Sequence, residues 1–72
     1  MSDQNGISIV RIDEIYRGYK IRYRRNRGWV ANILPPYATH YLDTFPIASG
    51  EEGKVEIERR ARDLIDAHIS ER

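Results

Sequence analysis

The chain has no cysteine, which excludes disulfides and thiolate metal sites. Proline, methionine, tryptophan and phenylalanine are scarce, at three, one, one and one among 72 residues. No stretch approaches the roughly 18 apolar residues that cross a bilayer. Net charge is +1, so overall charge argues for no partner. With so little chain, a core supplies only about 3–5 kcal/mol of net stability, and such proteins usually add a disulfide, a metal or a partner subunit. Without cysteine, and with His40 and His68 far apart and lacking companion ligands, self-association is the remaining staple. A reducing cytoplasm suits the cysteine-free composition. The segment Met1-Ser2-Asp3-Gln4-Asn5-Gly6 has neither the basic start nor the apolar run of a secretion signal. These features predict a soluble, cytoplasmic protein with no membrane partner, made of a frayed tail at residues 1–6 and a single domain at 7–72.

What is present is periodicity. From Tyr16 to Arg25 the residues alternate, with Tyr19, Ile21 and Tyr23 on one side and Lys20, Arg22 and Arg24 on the other, the period of a half-buried strand. Asn26-Arg27-Gly28 supplies turn chemistry, and residues 29–34 read as the returning strand. Pro35-Pro36 ends it, and the β-branched and aromatic residues from Thr39 to Phe45 predict a third strand closed by Pro46. Ile7, Ile9, Val10 and Ile12 alternate imperfectly, as a short strand or an extended lead-in.

The period then changes. Ser49 and Glu52 have the spacing of a capping box, and Gly50 and Gly53 move the expected helix start toward Lys54. Ile57, Ala61, Leu64, Ile65 and His68 form one helical face, flanked by Val55 and Ile69. The other face predicts the pairs Glu56–Arg60, Glu58–Arg62 and Arg59–Asp63. The fold class is therefore α+β: a three-stranded antiparallel meander, or four strands if residues 7–12 join, packed against one C-terminal helix.

No constellation for catalysis, cofactor or metal is present in the sequence. Most acids neighbour arginines on the helix, where solvation explains them, and Ser8, Ser49 and Ser70 lack any nucleophile motif. Gly50-Glu51-Glu52-Gly53-Lys54 lacks phosphate-loop spacing, and its glutamates repel phosphate. The feature that remains is charge placement. Residues 11–27 hold seven Arg/Lys and two acids; residues 51–72 hold five and seven. With the tyrosines turned inward, Lys20, Arg22 and Arg24 make an exposed row about 7 Å apart. Arg17, Arg25 and Arg27 extend it toward the turns. Such a row tracks phosphates, and arginine also forks onto guanine edges. The competing readings are a solvated face, an edge strand kept apart by like charge, or an interface for a protein partner or a second copy.

The order of hairpin, third strand and helix is similar to HicB-type antitoxins, which implies pairing with a small toxin. It also resembles the three-stranded-sheet DNA-binding domains of plant ethylene-response factors and tyrosine-recombinase arm-binding domains, which implies nucleic-acid binding through the sheet. Tyr16-Arg17-Gly18-Tyr19, Gly28-Trp29, Pro35-Pro36 and Ile65-Asp66 resemble short uncharacterised bacterial proteins, which implies no activity. The sequence thus predicts a non-enzymatic binding module, with nucleic acid as the first partner and homodimerisation or a regulatory protein contact as the alternative.

Overall fold

A computed structural model of the chain describes residues 10–25 and 27–71. The expected tail at residues 1–6, the lead-in at 7–9 and the turn residue Asn26 lie outside them. Four strands, β1 (Val10–Tyr16), β2 (Tyr19–Arg25), β3 (Gly28–Leu34) and β4 (Ile47–Ser49), pair in chain order as an antiparallel sheet. One helix, α1 (Gly53–Ser70), covers one face. The α+β class, with the fourth strand, is what this chain adopts.

The first hairpin corrects one boundary. The alternation that begins at Tyr16 is not one strand, because Arg17 and Gly18 turn the chain with φ of +51° and +86°. Two central residues of positive φ make the tight turn whose twist suits a hairpin. β1 escaped clear prediction because its polarity is inverted at two adjacent positions. Glu14 is half-buried on the helix side, whereas Ile15 is 67% exposed on the other.

β2 and β3 supply the heart of the core. Tyr19, Ile21, Tyr23, Trp29, Ala31 and Ile33 point toward α1 and meet Ile57, Ala61 and Ile65, with Ala48 from β4. Gly28 is required at its position, since a Cβ there would lie 2.8 Å from the Ala48 carbonyl oxygen.

The third strand expected at Thr39–Phe45 is not formed. β4 lies beyond Pro46, and residues 35–46 are irregular. The physical reason is a register slip. The Ala31 N–H donates to Pro46 O at 3.1 Å, in step with Trp29–Ala48, so Thr44 should face Ile33. Instead Leu42 N–H donates to Ile33 O at 2.8 Å, and the surplus residues around Asp43–Phe45 bow out. The segment follows β3 without becoming a strand.

The capping-box bonds exist but do a different job. Glu52 N–H donates to Ser49 Oγ at 3.1 Å, and Ser49 N–H donates to Glu52 Oε1 at 2.8 Å. They close the turn ahead of α1, and Gly53, with φ +84°, redirects the chain into it. Of the expected helix pairs, Glu56–Arg60 and Arg59–Asp63 form. Glu58–Arg62 does not: Glu58 takes Lys54, and Arg62 reaches Glu14 on β1. Val55, placed beside the apolar face, is exposed.

Candidate nucleic-acid interface

Each residue of β2 is fixed to a side by the burial of its neighbours. Because Tyr19, Ile21 and Tyr23 are fully buried beneath α1, Lys20, Arg22 and Arg24 must project from the opposite, uncovered face. The register sets their surroundings. Lys20 stands between Ile15 and Leu34, Arg22 between Asp13 and Asn32, and Arg24 opposite Val30.

Asp13 meets Arg22 twice, accepting from Nε at 3.0 Å and from Nη2 at 3.3 Å. The two-point contact holds the guanidinium plane in one orientation, and the Asp13 hydrogen bonds push the arginine pKa up. Lys20 and Arg24 have no acidic partner among the described residues. Asp13 is also the sole acid on this face among the described residues. Glu51, Glu52, Glu56, Glu58, Asp63, Asp66 and Glu71 belong to α1 or its flanks, Asp43 lines a hollow with Leu64 and His68 of α1, and Glu14 points inward.

The other three arginines are elsewhere. Arg17 sits in the β1–β2 turn and donates to Asp66 of α1 at 3.0 Å. Arg25 falls on the helix-side parity of β2, with its guanidinium carbon 5.9 Å from the Trp29 ring centre. Arg27 is exposed in the β2–β3 turn with φ +71°. The continuous band from Arg17 to Arg27 is therefore a row of three cations, with Arg27 beyond one end.

Two residues join that row which sequence reading did not include. Asn32 is paired across from Arg22 on β3. Tyr41 arrives from the irregular segment, where Leu42 turns into the core and its predecessor faces out. Arg22, Arg24, Asn32 and Tyr41 line a hollow of about 310 Å³. Asn32's outward position follows from the burial of Ala31 and Ile33. Tyr41's follows only from the Leu42–Ile33 bond, which is long-range.

The inner face is closed at its β1 side by polar contacts. Glu14 accepts from the Tyr23 hydroxyl at 2.7 Å and from Arg62 Nη2 at 2.5 Å. Burial pushes the Glu14 carboxyl up, but those hydrogen bonds, with the Arg62 and Lys54 charges, outweigh it and hold the pKa below its usual value. The Tyr23 phenol is pushed up, by burial first and the Glu14 carboxylate second. The Tyr16 hydroxyl donates to Asp66 at 3.0 Å.

His40, expected in a strand, lies exposed in the irregular segment, its Nδ1 2.9 Å from Thr39 Oγ1. His68 is half-buried, its Nδ1 2.6 Å from the Tyr19 hydroxyl. A second hollow, about 270 Å³, has His68, Asp43, Thr44 and Glu71 along its lining above Leu42 and Leu64. Among the described residues no group of three or more His, Cys, Asp or Glu is arranged to hold a metal ion, and no helix is long and apolar enough to cross a membrane. Comparison with protein-family models, curated proteins and solved structures finds no match.

Proposed function

We propose that the chain is a small cytoplasmic binding module without catalytic chemistry, and that it binds nucleic acid through the uncovered face of its sheet. Charge segregation carries this reading: among the described residues Lys20, Arg22 and Arg24 share that face with a single acid, Asp13, while the helix and its flanks hold most of the acids. The Asp13–Arg22 pair is exposed, with side-chain accessibilities of 42% and 31%, and ion pairs of that kind exchange readily for a phosphate partner. If the three cations each neutralise one phosphate, affinity falls about 20- to 40-fold between 50 and 200 mM salt. Fluorescence anisotropy with labelled oligonucleotides at both salt concentrations measures this. Arg24→Ala and Lys20→Ala should weaken binding and flatten the salt dependence with the fold intact. Absence of binding to single-stranded and duplex probes at low salt would end the proposal.

A second reading, homodimerisation, rests on the free edge of β1. The two-residue turn makes Tyr16–Tyr19 a hydrogen-bonded pair, so Ile12 and Glu14 also bond to β2. The backbone groups of Arg11, Asp13 and Ile15 then point away from the sheet. Among the described residues no strand lies against them. Such an edge accepts a strand from a second copy. Light scattering at high micromolar concentration should show a dimer, and Ile15→Pro, which removes a donor β2 does not use, should give a monomer. A monomeric wild-type chain at that concentration rules this reading out.

A further inference from the structure

We infer that the uncovered face takes single-stranded nucleic acid in preference to duplex, with one unpaired base seated in the hollow formed by Arg22, Arg24, Asn32 and Tyr41. This rests on the nucleic-acid reading and specifies its ligand.

The hollow has the parts that an extruded base needs. At about 310 Å³ it is at the small end of ligand-sized clefts. Tyr41 contributes an aromatic ring that is 40% exposed, and a base stacks on such a ring whatever its identity. The Arg22 guanidinium offers a second planar surface, whose face can stack on a base while its edge exchanges Asp13 for a phosphate. Asn32 makes no side-chain hydrogen bond among the described residues, so its amide is open to a base edge as both donor and acceptor. Arg24, with no acid partner among the described residues, is placed for the adjoining phosphate.

The surroundings favour a single strand over a duplex. Ile15 and Ile47 are 67% and 61% exposed on this same face; Ile15 and the half-exposed Leu34 flank Lys20, and the half-exposed Val30 lies between Ile47 and Arg24. A duplex presents phosphates and groove edges and keeps its base faces stacked inside. A single strand presents both phosphates and apolar base faces, the combination that this mixed surface matches.

The test uses the full chain with fluorescein-labelled oligothymidine and oligouridine of about a dozen nucleotides, and a duplex of equal length. Either single strand should bind more tightly than the duplex, and comparing the two shows whether DNA or RNA is preferred. Tyr41→Ala should lose about 5- to 150-fold in single-strand affinity, the range for one stacked base, with duplex affinity unchanged. Tyr41→Phe should retain it. Arg24→Ala should weaken both. Circular dichroism confirms that each variant is folded. Duplex binding as tight as single-strand binding, or a Tyr41→Ala variant with undiminished single-strand affinity, overturns the inference while Arg24→Ala still reports on the nucleic-acid reading. No binding to any probe at about 50 mM salt overturns both.

Discussion

Arg62 of the helix donates to Glu14 of β1 at 2.5 Å, joining residues 48 apart in sequence. The same Glu14 accepts the Tyr23 hydroxyl, and Arg62 lies 5.8 Å from the Tyr16 ring centre. The helix thus meets the edge strand through long polar side chains, whereas it meets β3 through Ile57, Ala61 and Ile65.

Breaking that contact should loosen β1 selectively. Glu14→Gln leaves Arg62 without its counter-charge while preserving the side-chain shape. Amide hydrogen exchange should accelerate across β1 with β3 still protected. Uniform acceleration over all four strands would mean that β1 is not a separable unit.

Acid should destabilise the fold through three carboxylates. Hydrogen bonds from Arg59 and Arg60 hold Glu56 down to about 2, against an ordinary 4.5. The Ser49 N–H and Arg60 likewise lower Glu52, and Glu14 lies below its usual value. A depressed folded-state pKa gives stability that is present above the unfolded value and lost as pH falls through the folded one. The melting temperature should therefore hold steady from pH 7 to about 5 and decline from about 4.5 toward 2. Glu56→Gln should lower the neutral-pH melting temperature and shrink that decline; an unchanged acid profile would show that Glu56 does not contribute.

Gly28→Ala should destabilise by about 1–3 kcal/mol, because its Cβ meets a backbone carbonyl that moves only with β4. Urea denaturation gives the value. A change within about 0.5 kcal/mol would mean that β4 yields freely.

Ile65→Ala should cost about 2–5 kcal/mol and exceed Leu64→Ala in the same denaturation experiment. Ile65 is wholly buried beneath the sheet, while Leu64 is half-buried at the rim of the smaller hollow. Equal costs would place the helix at a different rotation.

Where neighbouring side chains agree with the local period, the fold was legible. Tyr19, Ile21 and Tyr23 identify a strand and its buried side without further help. Glu14 and Ile15 defeat that logic, because one is buried by a partner 48 residues away and the other is left exposed. Thr39–Phe45 has strand composition, yet its pairing to β3 slips, and composition carries no information on register. The interface divides similarly. Lys20, Arg22 and Arg24 follow from β2 alone. Arg17 has the same charge but is carried by the turn to Asp66. Asn32 and Tyr41 enter through other elements, and Tyr41 depends on a backbone bond from Leu42 that no local pattern announces.

The unbroken order β1-β2-β3-β4 has a kinetic consequence. Each strand meets the next after a short reversal or one irregular segment, so the sheet assembles from contacts close in sequence. Such chains cross a low entropic barrier and fold fast for their strand content. The distant closure is the return of α1 over β3, and its Arg62–Glu14 bond fastens the β1 edge.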